Sequence, residues 1–240
     1  LIQSLDQRLE AIRALGVDAT LILPFDEAMS QIPAEAFIQG LAVDLGRISS
    51  ICVGAQFAFG QGRKGNVKLL HQLGQELHFV AHGTASVALD GETVSSTRIR
   101  QAIAGGQLDL AGQMLGREYA LAGKVIRGDQ RGRELGFPTA NLEITGRCTP
   151  PNGVYAAHAE GDGEPYRAAV NIGLRPTLKD PEPALHVEAH LLDFEGEIYD
   201  RVCKLTFVGK LREEQSFDSL DALRAQIEKD VVQARYLFTQ

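Results

Sequence analysis

Between Gly123 and Asn141 the chain sets glycines at Gly123, Gly128, Gly132 and Gly136 among basic residues at Lys124, Arg127, Arg131 and Arg133. Glycine lets backbone amides approach a ligand closely, and the basic side chains raise the local positive potential, a pairing suited to phosphate. This is not a Walker loop, because Gly123-Lys124 is followed by Val125, leaving no hydroxyl there for a metal. On spacing alone, a glycine-rich turn with solvated arginines fits as well. The segment ends Pro138-Thr139-Ala140-Asn141. In extended backbone Thr139 and Asn141 point to one face, and a hydroxyl with an amide carbonyl suits Mg²⁺, which takes few protein ligands and completes its shell from phosphates and water. Taken alone, the same four residues also read as a turn with a local side-chain hydrogen bond. Glu188 offers a carboxylate that can accept a proton from an alcohol attacking a γ-phosphate, although a polar strand face often simply meets water. His186 and His190 flank it, but strand residues four apart lie about 13 Å from each other, too far to share a metal.

These residues need elements to hold them. From Leu185 to Leu191 the alternation is clean: Leu185, Val187, Ala189 and Leu191 share one face, while His186, Glu188 and His190 share the other. Segments around Val154, Ala168 and Cys203 also alternate between turn clusters, which predicts antiparallel β structure after about Gly116. The chain closes with Leu220, Leu223, Ile227, Val231 and Ala234 at helical spacing, capped by Asp218 or Ser219. A small barrel backed by one helix accommodates this pattern. The first part alternates differently. Leu5, Leu9, Ile12 and Leu15 predict a helix ending at Gly16, Ala19 to Leu23 a strand, Pro33 to Leu45 a helix, and Ile48 to Val53 a second, buried strand. A helix over Asn66 to Leu73, a strand over Leu77 to Ala81 and two short helices between Ser95 and Leu115 come next. Such order predicts a parallel sheet with covering helices.

The chain has 240 residues, 44% hydrophobic and 23% charged, which predicts two packed domains and excludes a disordered polymer. Its net charge of −7 argues against coating nucleic-acid phosphates. Cys52, Cys148 and Cys203 form no C-x-x-C pair, so neither a disulfide framework nor a zinc ribbon is expected, and a reducing compartment is. No apolar run is long enough to span a bilayer and no leader opens the chain, so the expectation is a cytoplasmic protein without membrane or nucleic-acid partners.

The combination resembles the riboflavin kinase module of bacterial bifunctional riboflavin kinase/FAD synthetases. The likeness rests on Leu135 to Leu142, Asn152-Gly153-Val154-Tyr155-Ala156, Asn171-Ile172-Gly173 with Arg175-Pro176-Thr177, Val187-Glu188-Ala189-His190, and Leu211-Arg212-Glu213-Glu214 with Phe217. The resemblance implies a six-stranded antiparallel β-barrel with a C-terminal helix over residues 118–240. ATP phosphates would meet Gly123, Lys124, Gly128, Arg131, Gly132 and Gly136, and Mg²⁺ would meet Thr139 and Asn141. Glu188 would be the base for the ribityl 5′-hydroxyl, Arg212 and Phe217 would hold the flavin, and FMN and ADP would leave. The oligomeric state is left open.

Residues 1–117 resemble the adenylyltransferase module of the same enzymes, an α/β nucleotidyltransferase that makes FAD and pyrophosphate from FMN and ATP. Val53 to Gly60 with Arg63, Lys64 and Gly65 matches one family segment, and Ser96, Thr97 and Arg98 match its later phosphate-binding segment. The serines there also suit ordinary helix capping. Gln56 stands where the family carries Asp, and the family's His-x-Gly-His does not occur. The expectation is therefore an incomplete adenylyltransferase domain lacking its first strand and loop. The rival expectation from another class is a flavin-binding or regulatory module without turnover.

Overall fold

The computed structural model describes residues 1–128, 131–161, 165–175 and 184–239, apart from the side chains of Arg131, Arg175 and Ala184. Asp129, Gln130, Pro176 and Thr177 of the motifs above lie outside the described residues. In chain order the elements are α1 (Leu5–Ala14), α2 (Glu27–Ser30), α3 (Ala34–Asp44), β1 (Ser50–Gly54), α4 (Val67–Leu77), β2 (Val80–Thr84), β3 (Ala88–Leu89), β4 (Glu92–Thr93), α5 (Ser96–Ala104) and α6 (Leu108–Leu115). After these come β5 (Ala120–Ile126), α7 (Arg131–Glu134), β6 (Ala140–Glu143), β7 (Gly153–Glu160), β8 (Tyr166–Arg175), β9 (Ala184–Leu191), β10 (Val202–Arg212) and α8 (Leu220–Leu237). Contacts group the chain into Val17–Val94 and, as a second unit, Leu1–Gly16 with Ser95–Gln240.

In the unit Val17–Val94, β1 and β2 pair in parallel, Ser50 opposite Val80 through Gly54 opposite Thr84. Asn66 caps α4 by accepting a hydrogen bond from the Leu69 amide. Leu70 and Leu73 of α4 are buried with Ile38 of α3 and with Phe59, Phe79 and Ala81. Three expectations need correction. Ala19 to Leu23 forms no strand: it has no ladder partner among the described residues, and Leu21 and Ile22 are 62% and 52% exposed. An apolar run without a neighbour to take its hydrogen bonds does not become a strand. β1 is not buried but alternates exposed and half-buried, being paired on one edge only. The strand expected over Leu77 to Ala81 begins at Val80, because α4 runs on through Leu77 and ends where His78 takes a left-handed conformation with φ 61°.

In the second unit six strands close into a barrel in the order β10-β5-β6-β9-β8-β7, every pair antiparallel. Closure falls to β10, whose first residues pair with β5 while the run from Lys204 to Arg212 pairs with β7. Register shifts after Phe207 and after Lys210 bend this long strand around the barrel. Period-two alternation delivers the core: Val170, Ile172, Val187, Ala189 and Leu205 are at most 1% exposed. The side chain of Ser219 caps α8. Ala234 of α8 packs with Ala156, Ala169 and Leu192 against the barrel wall. Leu220, expected on that apolar stripe, is instead 69% exposed at the helix start. Helix α1 belongs to this unit too, its Gln7 side chain donating to the Ala120 carbonyl at 3.1 Å.

Candidate functional site

Strand register assembles the polar cluster. Asn141 on β6 lies opposite Glu188 on β9, and Glu188 lies opposite Asn171 on β8. Directly opposed residues of antiparallel strands share a face, so Asn141, Glu188 and Asn171 form a row across three strands. Thr139, just ahead of β6, donates a hydrogen bond from Oγ1 to Glu188 Oε2 at 3.3 Å. His190, two residues along the same face, sets Nδ1 2.9 Å from the Pro138 carbonyl oxygen, and its ring meets the edge of Phe137 at 5.5 Å. The Phe137 to Thr139 turn is thus tied to β9 at two points, which holds a hydroxyl, an amide and a carboxylate together.

The glycines have individual uses. A Cβ at Gly128 would collide with the Asn141 amide, and one at Gly132 would collide with the Phe137 carbonyl and crowd Thr139 Oγ1. The glycine-rich backbone therefore lies directly against the two candidate metal ligands. Gly136 takes φ +90°, and Gly123 sits within β5 against Glu143. Among the basic residues, Lys124 pairs with Asp200 at 2.7 Å, Arg127 lies over the Tyr199 ring at 4.8 Å, and Arg133 is 3.6 Å from Glu197. The hydrogen bond to Asp200 pushes the Lys124 ammonium above its ordinary pKa, and its counterpart pushes Asp200 below the usual carboxylate range. The Arg131 side chain lies outside the described residues.

Two cavities meet at Thr139. The larger, of about 350 Å³, is bounded by Thr139, Asn171 and Glu188 on one side and by Arg212, Phe217 and the α8 residues Leu223, Ile227 and Asp230 on the other. That volume lies within the ordinary range for small-molecule sites. The smaller, of about 70 Å³, lies among Arg133, Pro138, Thr139, Phe194, Glu197 and Tyr199. Among the described residues, Thr139 is the one that lines both.

Arg212, at the end of β10, is clamped. Nε donates to Asp230 Oδ1 and Oδ2 at 2.9 and 3.1 Å, Nη2 to Oδ2 at 2.8 Å, and Nη1 to the Glu213 carbonyl at 3.0 Å. Its guanidinium lies 5.7 Å from the centre of the Phe217 ring. Gln226 donates to Asp230 Oδ1 at 2.9 Å. Glu214 accepts from Asn152 Nδ2 at 3.0 Å and rests on the backbone of Gly173, where no Cβ has room. Sequence reasoning named Arg212 and Phe217 but gave no role to Asp230, which is 3% exposed. A signal existed: Asp230 stands three residues after Ile227 and seven after Leu223, an acid on the apolar stripe of α8.

Ser96, Thr97 and Arg98 open α5. Ser95, not Ser96, is the cap, accepting from the Arg98 amide at 3.2 Å, while Thr97 Oγ1 accepts from Arg100 at 3.4 Å. The Val53 to Gly65 segment lies in the other unit, where Arg63 takes φ 57° after Gly62 at φ 63°. Among the described residues no group of three or more His, Cys, Asp or Glu side chains could hold a metal. An Mg²⁺ carried largely by phosphate oxygens needs no such group.

The family model described as riboflavin kinase matches residues 115–238, and that described as FAD synthetase matches residues 1–98. A bifunctional riboflavin kinase/FMN adenylyltransferase of Pseudomonas fluorescens is 41% identical over 222 residues, 92% of this chain and 71% of the relative. The protein of the same description from Escherichia coli (strain K12) is 40% identical over 235 residues, 98% of this chain and 74% of the relative. A solved structure described as a macrolide-efflux protein from Streptococcus pneumoniae superposes with a TM-score of 0.80 at 28% identity, over 98% of this chain and 75% of that one. No helix among the described residues is long and apolar enough to cross a membrane.

Proposed function

The chain belongs to the bifunctional riboflavin kinase/FMN adenylyltransferase family, and from that premise, with its barrel a riboflavin kinase, we propose how its residues divide the work. ATP and riboflavin are the substrates and FMN is the flavin product. Phosphorylation belongs to residues 118–240 and the adenylyltransferase-like module to residues 1–117, a division supported by the spans of the two family models.

Riboflavin occupies the larger cavity with its ribityl chain toward Glu188, and ATP approaches from the side of the smaller one, past Arg133 and Pro138. The observation that carries this reading is the position of Thr139, which lines both cavities and bonds to Glu188. Two substrates entering from opposite sides would bring an alcohol and a terminal phosphate together there. Glu188 takes the proton of the 5′-hydroxyl as its oxygen attacks the γ-phosphorus, and the bond to the β-phosphate oxygen breaks to leave ADP. Thr139 Oγ1 and the Asn141 amide oxygen are hard neutral donors beside a carboxylate, a set that fits Mg²⁺ with its remaining positions on phosphate and water. Bound there, Mg²⁺ supplies neutralisation of phosphate charge. The chain's own work is to hold Asn141 against Gly128, tether Pro138 to His190 and shut water out of the cavity with α8 and the Arg212 to Phe217 segment.

The test is incubation with riboflavin, ATP and Mg²⁺, with FMN and FAD resolved chromatographically. FMN is expected, and its absence would overturn the reading in favour of a binding module without turnover. FAD in the same run measures whether residues 1–117 adenylylate the product.

A further inference from the structure

With riboflavin in the larger cavity as the premise, the charge carried by that cavity's wall decides which flavins can stay there. Among the described residues, the wall carries three carboxylates, Glu188, Glu214 and Asp230, against one guanidinium, Arg212, with His190 the remaining titratable side chain. Riboflavin is uncharged, whereas its phosphomonoester product carries a charge of about −1.5 to −2 near neutral pH. A lone guanidinium in a half-enclosed cavity would attract that product strongly.

Arg212 does not face the cavity alone. Asp230 binds its Nε and Nη2 in a fork, with both side chains largely withdrawn from water at 19% and 4% exposure, and Gln226 holds the carboxylate from behind. As a stabilising device such a pair is near break-even, because desolvating two ions offsets most of their attraction. Its place in the cavity wall gives it another use. We propose that Asp230 is a specificity-determining residue acting through Arg212: it fixes the guanidinium against α8 and cancels its charge. The cavity then admits the neutral flavin and lets the anionic product go.

The experiment measures dissociation constants for riboflavin and for FMN by flavin fluorescence, both in the presence of ADP and Mg²⁺. Asp230→Asn keeps the shape and removes the charge. FMN should then tighten relative to riboflavin by about tenfold, the sign expected when a guanidinium loses its counter-ion. Asp230→Asn with Arg212→Gln removes both charges and should return the ratio toward that of the unaltered chain. A purely architectural role would weaken both flavins together and leave their ratio unchanged, which overturns the proposal. Where Asp230→Asn does not fold, Arg212→Gln probes the same pair: it leaves the Asp230 carboxylate uncompensated and should loosen FMN relative to riboflavin, and an unchanged ratio there also overturns the proposal. Leu223→Trp separates this charge selection from the placement of the flavin. If filling the cavity leaves riboflavin binding intact, the flavin does not sit there, and the placement itself falls.

Discussion

Glu188 and Asn141 face each other across one strand pair, yet the site asks different things of them. Removing the proton acceptor while keeping its shape should spare ground-state binding. Glu188→Gln is expected to lower kcat by about 10²- to 10⁴-fold with the KM for ATP changed little, as for a general base. Retention of full FMN production by that variant would strip Glu188 of the role. Asn141→Ala removes a candidate metal ligand whose amide is seated against Gly128. Its expected signature is a rise of about tenfold or more in the Mg²⁺ concentration needed for half-maximal nucleotide binding, the scale of losing one oxygen ligand. Titrating Mg²⁺ at fixed nucleotide reads this directly. Thr139, Asn141 and Glu188, which the structure brings together, drew notice by residue type and spacing, whereas Arg212 and Phe217 entered through the family resemblance alone. Asp230 was given no role, because its meaning comes from Arg212, 18 positions earlier on another element.

Elements were legible where the period of the pattern matched their packing. β9 was plain because Val187 and Ala189 enter the core while Glu188 and His190 stay half-buried. The cap of α4 at Asn66 and that of α8 at Ser219 arise from side chains that accept amide hydrogens. Ala19 to Leu23 misled because five apolar-rich residues announce burial without naming a partner, and parallel pairing is decided by chain far away. The same distance left the pairings that close the expected barrel unread: β10 pairs with β7 and with β5, and the bulges that let it turn leave no local mark. Gly209 at the first register shift marks the position only in retrospect.

For the whole chain, alkali is the condition that probes the barrel. Burial, helped by Glu160, pushes the Cys203 thiol from 9.0 up to about 11. Burial, helped by Glu213, pushes the Tyr155 phenol from 10.0 up to about 12. Both groups stay protonated in the fold beyond the pH at which they ionise in the unfolded chain. The folded state then binds the more protons, so the stability they contribute is complete below about pH 9 and fades as pH rises toward 11 and 12. For Cys203 the loss is on the order of 2 to 3 kcal/mol. Urea midpoints followed by circular dichroism should fall between pH 8 and pH 11, and Cys203→Ala should flatten that fall. A Cys203→Ala profile as steep as the original would remove the thiol from the explanation. Cys52, exposed, should react with a thiol reagent at pH 8 long before Cys203 does.

A doorway shared from two sides also fixes the grammar of turnover. With riboflavin in one chamber and ATP in the other, as proposed, the reactants meet at Thr139, which borders both, and nothing needs to be parked on the polypeptide between visits. Double-reciprocal plots for the two reactants should therefore intersect instead of running parallel, the mark of a ternary complex in which the phosphoryl group moves once.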